Sequence, residues 1–415
     1  MRFSDLGLQT QLLATLDELG YQTPTPIQQA AIPEVLAGRD VLAGAQTGTG
    51  KTAAFALPLI QRYLTDQSPH NAIRVLVLTP TRELAQQVHQ SFVAYSQDTG
   101  LRCVVAYGGA SINPQIEALK QGCEVMVATP GRLLELVIKE LIDLSTLQTL
   151  VLDEADRMLD MGFIIDIKRI LRHLPEERQT LFFSATFNDE VFALKNTLLK
   201  DPALIEVAER NTAAAQVEQR IYEVDSHKKA ALVAYLIGAN NWQQVLIFTR
   251  TKQTVDALAK ELGKDGITAS AVHGDKAQGA RERALEAFKT GQVRALVATD
   301  VAARGLDIQQ LQYVINYELP YNAEDYIHRI GRTGRAGLAG LAVSLVAHKE
   351  KYLLEGVEKL TGEHFIPQWV EGFEPNPAAQ ESASNTRRKP SKKSLRANAL
   401  GQPGNKGKAG KRRRR

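Results

Sequence analysis

The stretch Ala45-Gln46-Thr47-Gly48-Thr49-Gly50-Lys51-Thr52 decides how the rest of the chain is read. It follows Val41-Leu42-Ala43-Gly44, an apolar run that predicts a buried strand, and it enters Ala53-Ala54-Phe55-Ala56-Leu57, which predicts the first turns of a helix. A glycine-rich turn in that position points backbone N–H groups at an anion. The unpaired first N–H groups of the helix and its dipole favour negative charge at the same place. This is the geometry that wraps a triphosphate, with Lys51 reaching the β- and γ-phosphates and the Thr52 hydroxyl on Mg²⁺. The pattern departs from its strict form in having Ala45 at the first glycine position. An ordinary strand-to-helix turn is the alternative, and the strand and helix on either side argue against it.

Moving outward, apolar runs of strand length alternate with longer helical stretches. Strands are expected at Val75–Leu78, Cys103–Ala106, Val125–Ala128, Leu150–Leu152 and Thr180–Phe183. Upstream, Phe3 to Gly20 carries leucines at helical spacing, and Pro24 and Pro26 impose an extended turn before a further helix. Short buried strands separated by helices predict a parallel sheet covered on both faces, with ligands beyond the strands' carboxyl ends. The alternation pauses at residues 208–216, which are small and polar and read as a linker. It restarts with Gln219–Val224, Val245–Phe248, Thr268–Val272, Ala295–Ala298, Tyr313–Asn316 and Leu341–Val346. The expectation is therefore two α/β domains, residues 1–207 and 217–375, each with a mostly parallel sheet flanked by helices. No literal repeat is visible, only a repeated architecture.

Residues 376–415 differ. Aliphatic residues thin out, and from Ser382 to Arg415 there are 13 Lys or Arg and no acid, which leaves the preceding residues at −9 within a net charge of +4. Such a composition cannot bury enough apolar area to offset chain entropy, so a disordered basic tail is expected, with a polyanion as its partner. Cys103 and Cys123 lack disulfide or metal-ligand patterning and read as buried thiols of a reducing, cytoplasmic compartment. No signal core or membrane-length apolar run is seen.

The run Leu150-Val151-Leu152 delivers Asp153-Glu154-Ala155-Asp156 at a strand's carboxyl end. Beside a phosphate loop, Asp153 suits Mg²⁺, with Thr52, and Glu154 suits the attacking water as general base. A helix N-terminus enriched in acids is the alternative reading.

These residues and their order resemble the DEAD-box RNA helicases of superfamily 2, with the bacterial RhlE-type subgroup nearest in pattern. The resemblance spans Phe3 to about Pro377. It implies two tandem RecA-like domains, ATP and Mg²⁺ as cofactors, and RNA as partner. Tyr21 and Gln28, with Phe3 upstream, match the motif that contacts adenine; Phe3 either stacks on the base or packs the N-terminal helix. Pro80-Thr81-Arg82, Gly108-Gly109 and Thr129-Pro130-Gly131-Arg132 match RNA-contacting motifs of the first domain, and Ser184-Ala185-Thr186 matches the motif coupling hydrolysis to RNA work. In the second half, Thr249-Arg250, Gln278 with Arg281, Thr299 and Arg304 match RNA-contacting positions. Gly305 and Asp307 match nucleotide contacts, and His328, Arg332 and Arg335 match catalytic ones. Arg332 and Arg335 are three apart and share a face if helical, suited to clamp a γ-phosphate from the opposite domain. The resemblance implies local, non-processive unwinding of short duplexes, in ribosome assembly on precursor ribosomal RNA or with RNA-degradation machinery. An ATP-dependent RNA clamp, a DNA helicase of the same superfamily and a small-molecule kinase are the competing readings.

Overall fold

The computed structural model describes residues 1–44, 49–66, 72–186, 189–206, 217–303, 311–334 and 340–376. The proposed linker and all of the tail from residue 377 lie outside these residues.

The first half forms a seven-stranded sheet of β1 (Val41–Gly44), β2 (Val75–Leu78), β3 (Cys103–Ala106), β4 (Val125–Ala128), β5 (Thr149–Leu152), β6 (Gln179–Ser184) and β7 (Ala203–Glu206). Their order is β3-β4-β2-β5-β6-β1-β7, and every pairing is parallel. Side chains alternate across it as strand geometry demands. Val41, Val75, Val77, Val127, Val151 and Phe183 face one helical layer, in which helices Pro26–Leu36, Lys51–Thr65 and Arg82–Tyr95 pack. Leu42, Leu76, Leu78, Met126, Leu150 and Phe182 face the other. Burial on both faces is why these strands read as unbroken apolar runs.

The second half gives β8 (Val217–Glu223), β9 (Val245–Thr249), β10 (Ala269–Val272), β11 (Ala295–Thr299), β12 (Tyr313–Asn316) and β13 (Gly340–Val346), ordered β10-β11-β9-β12-β13-β8 and again parallel throughout. Position by position this is the order β3-β4-β2-β5-β6-β1 of the first sheet. The correspondence reaches individual atoms. Thr79 Oγ1 donates to the Thr81 carbonyl at 3.3 Å, and Thr249 Oγ1 donates to the Thr251 carbonyl at 3.2 Å. Thr81 and Thr251 then each cap the following helix by accepting an N–H, from Leu84 and Thr254. β8 occupies the place of β1 but continues into Val224-Asp225-Ser226-His227, with no glycine-rich turn. One phosphate loop thus serves two sheets.

Two local expectations change. Phe3–Gly20 is not one helix: a 3₁₀ turn, Phe3–Leu6, ends at left-handed Gly7 (φ 76°), and the α-helix runs from Thr10 to Glu18. β7 is an additional strand; its Ala203 and Ile205 point inward while Leu204 and Glu206 are exposed, which is edge-strand alternation. Both cysteines are free, and burial pushes the Cys123 thiol up to about 12. Among the described residues no helix is long and apolar enough to cross a membrane.

Candidate nucleotide and RNA site

Beyond β1, Gly50 caps helix Lys51–Thr65 with φ 90°, a backbone that glycine adopts without strain. Gln28 Nε2 donates to the Gly50 carbonyl at 3.1 Å, and Gln28 Oε1 accepts from the Thr25 N–H at 2.9 Å. The amide therefore completes the capping box of helix Pro26–Leu36 and ties it to the phosphate loop. The amide has a second N–H and a second oxygen lone pair, the pair of groups that an adenine edge would need. Tyr21 is half exposed, with its hydroxyl 3.3 Å from that of Tyr95. Phe3, 5% exposed, packs in the core, which favours the packing role over stacking on a base. Ala45, Gln46, Thr47 and Gly48 lie outside the described residues; Thr49 and Gly50 lead directly into the helix.

The Lys51 side chain is buried, with Nζ 3.9 Å from Asp153 Oδ1 and no hydrogen-bond partner among the described residues. A buried ammonium left in this state is costly, and a phosphate oxygen is the group that relieves it. Burial pushes the Asp153 carboxyl up to about 6; Lys51 opposes this shift, while Glu154 adds to it. Lys51, Thr52 and Asp153 at one helix N-terminus fit ATP with Mg²⁺, a hard cation that takes one or two protein oxygens beside phosphates. No group of three or more His, Cys, Asp or Glu side chains placed to hold a metal ion occurs among the described residues.

Glu154 has a left-handed backbone, φ 52°, uncommon for a residue with a side chain. It turns the chain sharply from β5 into helix Ala155–Asp160 and keeps the carboxylates of Asp153, Glu154 and Asp156 close together. Asp156 Oδ2 accepts from the Ala185 N–H at 3.1 Å, the Thr186 N–H at 3.0 Å and the Thr186 hydroxyl at 3.1 Å. Ser184 Oγ donates to the Thr186 carbonyl at 2.7 Å. The Ser-Ala-Thr segment is thereby anchored to the acidic turn by Asp156, a role not assigned to that residue from sequence.

The two sheets meet at this turn. Arg157 Nη1 lies 2.7 Å from Asp325 Oδ1 across the seam, with both side chains largely buried. Burial alone would lower the Arg157 pKa, but Glu154, Asp156 and Asp325 outweigh it and hold the pKa above its ordinary value. The adjoining cleft is lined by Arg157, Asp300, Asp325, His328, Arg329 and Arg332. Helix Ala323–Ile330 stops before Arg332, and Thr333 instead bridges to Leu311, so Arg332 does not sit on the helical face expected for it. Gly331 ends the helix there. Arg335, Arg304, Gly305 and Asp307 lie outside the described residues. Arg329, unassigned from sequence, is fully buried and forks onto Asp300 at 2.6 and 2.7 Å, with Nη1 also donating to Asn316 and to the Glu318 carbonyl. It fixes the turn after Thr299 to the helix carrying His328.

The other candidate RNA-contacting residues cluster at the same ends of both sheets. Arg82 Nη1 donates to the Gly109 carbonyl at 3.3 Å, and Gly109 has φ 74°. The Gly108 N–H donates to Thr129 Oγ1 at 3.3 Å. Arg132 is buried and donates to Gln115 Oε1 at 2.7 Å and the Ala110 carbonyl at 2.8 Å, which makes it a brace for the Gly108-Gly109 loop. Gln115, missed from sequence, also bonds both backbone groups of Tyr107. Pro80 and Thr81 begin helix Arg82–Tyr95, and Pro130 and Gly131 begin helix Pro130–Ile138. Arg250 is held by Glu318 and Glu350, so its guanidinium organises the second sheet. Arg281 crosses the seam to Glu83 at 2.7 Å, and Gln278 Oε1 beside it is buried without a hydrogen-bond partner among the described residues.

Comparison with known proteins agrees with this geometry. The chain matches the DEAD/DEAH box helicase model over residues 25–194 and the helicase conserved C-terminal domain model over residues 227–337. It is 46% identical over 357 residues to RNA helicase CrhR of Synechocystis, covering 86% of this chain and 72% of that protein. It is 44% identical over 362 residues to DEAD-box ATP-dependent RNA helicase RhpA of Helicobacter pylori, covering 87% and 73%. Among solved structures, S. cerevisiae Dbp5 bound to RNA and ADP BeF3 superposes with a TM-score of 0.79 at 31% identity, covering 92% of this chain and 98% of that one. A DEAD box protein of Methanococcus jannaschii, at 38% identity over 89% and 99%, superposes with a TM-score of 0.51. Two RecA-like sheets facing each other across an acidic turn, a phosphate loop and a buried arginine cleft thus belong to a member of the DEAD-box family, an ATP-dependent RNA helicase.

Proposed function

We propose that this helicase opens short RNA duplexes locally, by closing both sheets on one strand while ATP and Mg²⁺ fill the seam. The observation that carries the reading is the Arg157–Asp325 ion pair, which joins the turn holding Glu154 to the helix holding His328. Closure couples the two halves of the site, so binding energy from ATP and RNA assembles it.

In this reading Lys51 neutralises β- and γ-phosphate charge, and Thr52 and Asp153 hold the metal. Glu154 takes the proton of the attacking water, and Arg332 and Arg335 stabilise charge on the transferred group. Gly305 and Asp307 meet the ribose. Arg82, Thr129, Thr249, Thr299, Arg304 and the Gly108-Gly109 loop meet the sugar–phosphate backbone, with Arg132, Arg250 and Gln115 holding those loops in place. Contacts of this kind position a strand without reading its sequence, and 2′-hydroxyls distinguish RNA from DNA. The basic tail adds salt-sensitive affinity. The setting we favour is cytoplasmic ribosome assembly, with RNA turnover second.

A fluorescence strand-separation assay on duplexes of increasing length tests this. Short RNA duplexes should open with ATP, long ones should not, and DNA should fail to stimulate hydrolysis. ATP-dependent retention on RNA with no strand release would leave the clamp reading instead.

A further inference from the structure

The second sheet ends in an open edge, β8, and the chain returns to cover it after helix Lys351–Thr361. The Gln368 N–H donates to the Ile221 carbonyl at 2.8 Å, and the Glu223 N–H donates to the Gln368 carbonyl at 3.0 Å, so this strap lengthens the sheet by one bridge. Val370 and Phe373 pack inward, Phe373 against Tyr235, while Lys228 holds the Gly372 and Glu374 carbonyls. Asn376 is fixed by Asp225 Oδ2.

A strap anchored this way has no need of apolar side chains on its outer face, yet Ile366 is 79% exposed and Trp369 66%. The only other tryptophan, Trp242, is buried. The surroundings are acidic: from Lys351 to Asn376 there are five glutamates against two lysines, and Lys351 is already paired with Glu223. Glu363, Glu371 and Glu374 are exposed. An exposed indole among carboxylates suits a cationic, arginine- or lysine-rich segment, through cation–π contact and charge pairing, and repels a polyanion.

We propose that this strap is the docking surface for the chain's own basic tail, residues 382–415. The tail has the complementary charge, 13 Lys or Arg without an acid, and it departs from the strap itself. Lys392 lies sixteen residue steps beyond Asn376, enough to span roughly 50 Å when extended, so the tail can reach back to the strap. Tethering raises its local concentration to the millimolar range, which suits a weak, reversible contact. On the reading above that RNA also takes the tail, strap and RNA compete for the same cations, so the tail is released where RNA is present.

Zero-length carbodiimide crosslinking of the full chain, with unlabelled and ¹⁵N-labelled protein mixed, tests the docking without RNA. Within-chain links from Lys389, Lys392 and Lys393 should concentrate on Glu371 and Glu374, at least about fivefold above exposed glutamates elsewhere, a contrast consistent with millimolar tethering. Trp369→Ala or Ile366→Ser, both at exposed positions, should lower them severalfold. Links spread evenly over the body overturn the proposal, and links dominated by mixed isotopes assign the strap to a second copy instead. Acrylamide quenching of Trp369, taken as the difference between wild type and Trp369→Phe, gives the RNA arm. Added single-stranded oligouridine should increase its exposure; a decrease would mean that RNA stacks on the indole, which also overturns the proposal. Failure of RNA to change either signal while the crosslinks persist would count against tail–RNA competition and leave the docking intact.

Discussion

Asp325→Asn removes the carboxylate that Arg157 meets across the seam at 2.7 Å. Breaking a buried ion pair outright costs about 3–5 kcal/mol. Here the loss is smaller, because Arg157 keeps Glu154 and Asp156 as compensating charges and the substituted amide still offers an acceptor oxygen. The remaining difference is that between an ion pair and a hydrogen bond from the same guanidinium to a neutral amide oxygen at a largely buried site, about 2 kcal/mol. That corresponds to a ~30-fold fall in the closed population. The assay is fluorescence anisotropy of a labelled single-stranded RNA, titrated with and without a non-hydrolysable ATP analogue. With the analogue, affinity should fall ~30-fold where closure limits binding, and without it affinity should be unchanged. Adding Arg157→Gln to the first substitution should cost less than the two single effects summed, since both act on the contact across the seam. Equal weakening in both conditions, or none in either, would refute the idea that this pair reports closure.

Other outcomes follow from single residues. Glu154→Gln should retain ATP and RNA affinity while lowering steady-state turnover about 10²–10⁴-fold, the range for a general base; a rate near wild type would remove Glu154 from that role. Gly109→Ala would place a methyl 2.7 Å from Arg82 Nη1 on a backbone at φ 74°. It should raise the RNA concentration for half-maximal ATPase and leave the ATP requirement alone. The Asp153 carboxyl is raised to about 6 in the fold from an ordinary 3.8, so its ionised form destabilises the nucleotide-free protein. That penalty is absent below about pH 4, grows as pH rises towards 6 and is complete above it. The melting temperature of Asp153→Asn minus that of wild type should therefore widen between pH 4.5 and 7 in nucleotide-free protein, and a constant difference would contradict the assignment.

Much of this was legible in the sequence because strands buried on both faces leave unbroken apolar runs, and polar motifs sit at their carboxyl ends. Val75–Leu78 and Val125–Ala128 are strands with the bounds expected. β7 was missed because its apolar run is only Ala203-Leu204-Ile205, with Leu204 turned to solvent at the sheet's edge. The phosphate loop was recognisable from local spacing alone. Asp156, Arg157, Gln115 and Arg329 were not assigned, because their partners lie 8 to 168 residues away and only folding brings them together. Arg132 and Arg250 show the converse. Their positions matched RNA contacts, yet their guanidinium groups are engaged by the protein itself.

The central claim is that the nucleotide site becomes reactive when both sheets close over an RNA strand. Steady-state ATP hydrolysis at saturating ATP, measured across a titration of single-stranded RNA, tests it most directly. The rate should climb saturably by about tenfold or more, equivalent to at least ~1.4 kcal/mol of barrier supplied by closure. A rate that is the same with and without RNA would contradict it.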